Sequence, residues 1–227
     1  MAAIAAGCIA GSAAAVVDVG PATPAPSVRL LYLVPSDRAY RADYAAAIRA
    51  AFADLRSWYR RQVGRTFSLY RAGPEVCGLP NPARYYAADS WSKVVADVQP
   101  CAPVAEGPQQ VVWVLYADVA HRCGTPGRLG AGTVGLTILS RQDLAGLVGA
   151  VSYDDCGRPS RWPVGRFIGG AGHELGHAFG LSHPPGCDAG LASCDREALM
   201  EDGYARYPDT YLRADDKRLL RKSPFFR

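Results

Sequence analysis

The sequence predicts an α+β domain, a twisted mixed sheet with long helices packed on it, and three observations predict it. Short apolar runs alternate with segments of helical period in the order strand, helix, strand, helix, strand, and further helices follow. The chain has 227 residues, long enough for one domain with a sizeable core and short for a second. Hydrophobic residues make up 49% and charged residues 20%, the balance of an ordinary globular protein.

The elements follow in chain order. Met1 to Gly20 is nearly all Ala, Ile, Val and Gly, with no basic residue before Arg29. That is the size of a signal-peptide core and too short for a comfortable membrane span. Ala5-Ala6-Gly7-Cys8 is similar to a bacterial lipoprotein box, which would make Cys8 a lipidated residue and the only membrane attachment. A plain export signal and an untargeted tail are the alternatives. Residues 21–27 read as a linker, and the domain proper is expected at 28–227. Val28 to Val34 is an apolar run bounded by Pro, a buried strand. Ser36 then offers an N-cap to a long helix. Tyr40, Tyr44, Ile48, Ala51, Leu55, Tyr59 and Val63 recur along it at spacings of three and four, and Gly64 ends it.

A second strand is expected at Phe67 to Tyr70, a short helix at Ser90 to Val98, and a strongly apolar strand at Val111 to Tyr116. Gly124 to Gly135 is Gly-rich and runs into a β-like Thr133 to Leu139. Ser140 and Asp143 form a capping box for a short helix ending near Gly149, and Asp154 to Pro163 reads as a loop. The last amphipathic helix falls within Tyr207 to Lys222, from Asp215, and stops before Pro224.

The net charge is +4, from 25 Lys and Arg against 21 acids. The basic residues are scattered, so no nucleic-acid partner is expected, and the chain reads as a monomer. There are seven cysteines. With Cys8 set aside, six remain, enough for three disulfides in any of 15 pairings. Cys187 and Cys194 sit seven apart in a loop-like segment; sequence order adds Cys77 with Cys101 and Cys123 with Cys156. No C-x-x-C pair occurs, so cysteine-ligated zinc is not expected. Disulfides at this density imply an oxidising place, secreted or in the cell envelope.

The chemistry is carried by His173-Glu174-Leu175-Gly176-His177-Ala178-Phe179-Gly180-Leu181-Ser182-His183. Two His four apart on a helix are rotated by about 40° and offset by roughly 6 Å, so both imidazoles reach one metal. Glu174 can lie beside the metal's bound water as a general base. Gly180 tolerates the left-handed conformation that ends a helix, and the chain can then return His183 to the same ion. Three imidazoles and a water make the open tetrahedral site of a catalytic Zn2+. A structural zinc would close its fourth position and would have no need of Glu174.

This extended motif, followed by Ala198-Leu199-Met200 with Met200 17 residues after His183, resembles the metzincin superfamily of zinc metalloproteases, and Ala-Leu-Met is most similar to its matrixin branch. The resemblance implies an N-terminal subdomain at 28–180 with a mostly parallel sheet and the active-site helix, and a small irregular C-terminal subdomain at 181–227. It implies one Zn2+ on His173, His177 and His183, Glu174 as general base, Met200 as an apolar floor, and a peptide or protein substrate paired with an edge strand, expected at Gly132 to Leu136. In branches with a tyrosine ligand, that residue lies two after the methionine. Here Asp202 holds that place and Tyr204 follows, as auxiliary ligand, oxyanion stabiliser or packing residue.

Pro184-Pro185 and the Cys187 to Cys194 loop would shape primed-side subsites. Arg122-Cys123-Gly124-Thr125-Pro126-Gly127 resembles the cysteine switch of matrixin propeptides but follows a central strand, which favours a disulfide or a free thiol. His121 beside it reads as a surface residue. The acids at Asp154-Asp155 and from Asp188 to Asp195 lack calcium-loop spacing, and calcium stays open. The expected function is a zinc endopeptidase. Its rivals are a zinc amidohydrolase on a non-protein amide and a catalytically silent binding protein, which would have no use for Glu174.

Overall fold

The computed structural model describes residues 25–120, 129–150, 152–153, 159–160 and 162–227. The leader with Cys8, residues 21–24 of the linker, the segment from His121 to Gly127 with Cys123, and Asp154, Asp155 and Cys156 lie outside the described residues.

Two strands that read as unbroken apolar runs, β1 (Ser27–Pro35) and β3 (Val111–Ala117), pair in parallel with Tyr32 opposite Tyr116. They form the middle of a five-stranded sheet ordered β2-β1-β3-β5-β4, with β2 at Glu75–Leu79, β4 at Ala131–Thr133 and β5 at Leu136–Leu139. All pairings are parallel except β4 with β5, so the sheet is mixed. Central parallel strands are covered on both faces, which explains runs without polar alternation. Leu30, Tyr32 and Val34 join Val112, Val114 and Tyr116 in one core, while Leu31 and Leu33 join Trp113, Leu115 and Ala117 in another. The first core is closed by α1 (Ala42–Val63), α3 (Arg141–Leu147), α4 (Val164–Ala178) and α5 (Ala214–Lys222), the second by α2 (Ser90–Val98). A small antiparallel pair, β6 (Ser152–Tyr153) and β7 (Pro159–Ser160), precedes α4.

α1 packs against α4 within the first core. Ile48, Phe52, Leu55, Trp58 and Tyr59 are buried along it, and each such side chain contributes about 1.5–3 kcal/mol of apolar burial. The Tyr59 hydroxyl donates to the Gly172 carbonyl at 2.9 Å, one residue before His173. Gly64, at φ +82°, closes the helix as expected.

Several elements depart from the sequence reading. α1 begins at Ala42, and Tyr40 is 53% exposed rather than part of the buried stripe. Ser36 caps no helix: α1 starts only after Arg41, and the turn at 36–37 is tied across the sheet end, where the Ser36 N–H donates to the Asn81 carbonyl and the Asp37 carboxylate accepts from the Ala83 N–H. Phe67 to Tyr70 is no continuous strand. Phe67 bridges to Phe226 and Leu69 to Val28, so the segment divides its pairing between two partners. β2 was not foreseen; Glu75, Cys77 and Gly78 dilute its β signal at a sheet edge. The edge expected at Gly132 to Leu136 is instead the β4–β5 hairpin, with Val134 and Gly135 in its turn, and the true edge is Ala131–Thr133.

Cys77 is bonded to Cys101, and Cys187 to Cys194. The first bond ties edge strand β2 to the end of α2, and the second closes the loop after the histidine motif. Among the described residues no helix is long and apolar enough to cross a membrane.

Candidate metal centre and active site

α4 contains glycine at 165, 169, 170, 172 and 176, a composition that costs up to about 1 kcal/mol per position against Ala in an isolated helix. Tertiary contact accounts for four of them. A Cβ would stand 2.5 Å from the Tyr207 carbonyl oxygen at Gly165, 2.1 Å from that of Tyr204 at Gly169, 2.8 Å from Leu55 Cδ2 at Gly172 and 2.3 Å from Met200 Sδ at Gly176. These positions recur at spacings of four, three and four, so they form one stripe on which α1 and the chain from Leu199 to Tyr207 lie directly. Met200 is fully buried under the turn that separates the two helical histidines.

The helix ends in a left-handed glycine. Gly180, at φ +89°, donates to the His177 carbonyl at 2.8 Å, and Leu181 donates to Gly176 at 2.9 Å. This pair of bonds is the Schellman arrangement, and it turns the chain back along the helix. The turn aims the Leu181 carbonyl at His177 and carries His183 to the other two imidazoles.

Each imidazole is held through Nδ1. His173 Nδ1 lies 2.8 Å from the Leu199 carbonyl oxygen, His177 Nδ1 2.9 Å from that of Leu181, and His183 Nδ1 2.7 Å from Asp188 Oδ1. These partners only accept, so each Nδ1 carries the proton and each Nε2 is the nitrogen left to face a metal. The Nε2 atoms of His173 and His177 face each other at 3.1 Å, and one ligand atom from each of the three histidines lies within 4.8 Å of the others. Lone pairs so close repel unless a cation lies between them. Burial pulls the His173 pKa down to about 4, against the Leu199 hydrogen bond and with help from the charges of His177, His183 and Arg166. Burial also lowers that of His177. Both rings are therefore neutral near pH 7, the form in which imidazole binds metal. Three imidazoles with fixed outer hydrogen bonds suit zinc. A second grouping, Cys187, Cys194 and Glu201, has both sulfurs in a disulfide and offers no thiolate.

Glu174 is half-buried and follows His173 on the helix. Its carbonyl accepts from Thr137 Oγ1 at 2.8 Å, and a Cβ on Gly132 would stand 2.3 Å from the same oxygen. The β4–β5 hairpin thus packs against α4 at Glu174, with the sheet edge beside the histidines. The half-buried Tyr204 lies in a 3₁₀ turn, Asp202–Arg206, with its ring centroid 5.2 Å from that of His173.

The structure therefore brings His173, His177, His183, Glu174, Met200 and Tyr204 to one place. Two residues escaped the sequence reading. Asp188 orients His183 from within the disulfide loop; its signal was an acid five residues after the last histidine, in a loop closed at the adjacent Cys187. Arg166 approaches Tyr204, its guanidinium 4.8 Å from the ring centroid; its signal was a position seven before His173, on the same helix face.

No family model and no curated protein matches the chain. Among solved structures, the wild-type OgpA of Akkermansia muciniphila shares the fold with a TM-score of 0.59 at 18% identity, over 92% of this chain and 63% of its own. A catalytically inactive OgpA in complex with an O-glycopeptide (glycodrosocin) substrate superposes with a TM-score of 0.58 at 16% identity, over 92% of this chain and 63% of its own. The chain thus spans under two thirds of OgpA. An archaemetzincin from Methanopyrus kandleri superposes more loosely, with a TM-score of 0.44 at 14% identity, over 87% of this chain and 97% of its own.

Proposed function

We propose that this chain is a zinc-dependent endopeptidase of the metzincin type. The observation that carries the proposal is the convergence of three Nε2 lone pairs whose Nδ1 protons are all committed outward, on a helix that also presents Glu174. His173, His177 and His183 would hold the ion. Zinc so held lowers the pKa of its bound water and polarises the scissile carbonyl. Glu174 takes a proton from the attacking water at its carboxylate and delivers it to the leaving amine nitrogen. The Tyr204 hydroxyl donates to the oxygen on which charge develops. Met200 keeps the underside of the histidines dry and their rings fixed. An extended peptide adds to the edge of β4, where backbone hydrogen bonds bind without regard to side chain. The fold shared with OgpA places an O-glycopeptide among the first substrates to try.

The two disulfides among the described residues suit an extracellular or periplasmic place of action. The test is cleavage of a proteome-derived peptide library with and without a chelator, by the wild type and by Glu174→Gln. Chelator-sensitive internal cleavage that Glu174→Gln loses while keeping its zinc supports the proposal. Cleavage by Glu174→Gln at the wild-type rate defeats it, and zinc binding with hydrolysis only of cell-wall amides favours an amidohydrolase.

A further inference from the structure

α4 carries one more polar group toward the metal centre. Arg166, Gly170, His173 and His177 recur at spacings of four, three and four, so they share one helix face, beside the glycine stripe. The Arg166 side chain folds forward along that face. Its Nη1 lies 2.8 Å from the point where a Cβ on Gly170 would stand, so the glycine leaves its path open. The guanidinium carbon then sits 4.8 Å from the Tyr204 ring centroid, and the Tyr204 ring is 5.2 Å from the His173 ring. Guanidinium, aromatic ring and first histidine form a row that ends at the metal centre.

The neighbouring arginines of the C-terminal segment are spoken for. Arg196 pairs with Asp202, Arg206 with Glu197, and Arg213 with Asp195 and Asp215. For Arg166, the contacts found among the described residues are the rings of Phe167 and Tyr204. Stacking on an aromatic ring uses the flat face of a guanidinium and leaves its in-plane N–H donors to a carboxylate. A half-buried arginine so placed is suited to meet an acid from outside the chain.

The geometry points to Arg166 as the specificity-determining residue of this site, its guanidinium receiving a substrate carboxylate close to the scissile bond, on the side of Tyr204 and His173. This inference rests on the peptidase reading above. A peptide offers that carboxylate as an Asp or Glu side chain or as its own C-terminus.

The experiment uses the full chain loaded with zinc. Matched peptides carry Asp or Glu, or the isosteric Asn or Gln, at each position flanking the scissile bond, with a free or an amidated C-terminus. The readouts are the acid-to-amide ratio of kcat/KM and the peptide Kd of Glu174→Gln. A wild-type preference for acid of roughly 10- to 100-fold is expected at one position, the range for removing a charged hydrogen-bond partner. Arg166→Gln keeps much of the stem packing and brings the ratio near one; Arg166→Glu inverts it in favour of Lys; Arg166→Lys retains part. The same order in Kd on the Glu174→Gln background separates charge selection from a misfolded site. If the preference follows the free C-terminus, that is the carboxylate bound. Cleavage of acid and amide peptides at equal rates overturns the inference and leaves the peptidase intact, as does an acid preference that survives in Arg166→Glu. Zinc-loaded protein that cleaves no peptide overturns both.

Discussion

Gly169→Ala tests whether the helix and the chain after the Met-turn are built around one another. A Cβ at this position would stand 2.1 Å from the Tyr204 carbonyl oxygen and 2.6 Å from Tyr207 Cβ, where ordinary contact begins at 3.4 Å. The Tyr204 turn must retreat by about 1 Å, and backbone yields less readily than a side-chain tip. Overpacking of this kind costs about 1–3 kcal/mol, and a backbone clash belongs at the upper end. Alanine in a helix interior returns about 1 kcal/mol. The net loss is about 2 kcal/mol, or roughly 4–8 °C in Tm for a chain of this size. Gly170→Ala is the matched control. There the nearest atom is Arg166 Nη1 at 2.8 Å, the end of a flexible side chain. It should keep the propensity gain and raise Tm by about 2–4 °C. Scanning calorimetry of the two variants beside wild type decides the matter. Should Gly169→Ala melt at or above the wild-type temperature, the close contact is not real.

Other outcomes follow from the same geometry. Asp188→Ala frees His183 Nδ1 and should weaken zinc binding roughly 10- to 100-fold in a chelator competition, with Asp188→Asn between it and wild type. In the metal-free protein, burial of His173 lowers its pKa from 6.5 to about 4, so between these values the unfolded chain takes up a proton that the folded chain refuses. Stability is therefore complete above pH 6.5 and falls as the pH drops toward 4, with an endpoint on the order of 3 kcal/mol. Urea unfolding at several pH values, with His173→Gln for comparison, should show this slope and its loss. Tyr204→Phe should lower kcat by about 100-fold with unchanged zinc content, and an unaltered kcat would return Tyr204 to a packing role.

The core of the site was legible because its residues are close in sequence and obey one helical period. His173, His177 and Glu174 need only α4, and Gly180 signals the turn that brings His183 back. Met200 was legible through a motif. Contacts that depend on tertiary approach were not. The glycines of α4 read locally as weak helix formers, and their purpose shows only when the carbonyls of Tyr204 and Tyr207 are seen against them. Asp188 looked like one acid among several until the loop closed it onto His183. In the fold, long apolar strands and the stripe of α1 were plain from periodicity. The start of α1 was misplaced because the turn at Ser36 and Asp37 is held by Asn81 and Ala83, some 45 residues away, rather than by a helix that follows it. Position β2 was hidden by its polar residues, and the β4–β5 hairpin by a turn within an otherwise β-like run.

Zinc content per chain tests the central claim most directly. Protein equilibrated with zinc, stripped of excess and measured by elemental analysis should hold one zinc per chain. His173→Ala, His177→Ala and His183→Ala should each lose it under the same conditions, while Glu174→Gln keeps it. A folded wild type without stoichiometric zinc, or full zinc retention after loss of any one of the three histidines, would contradict the account.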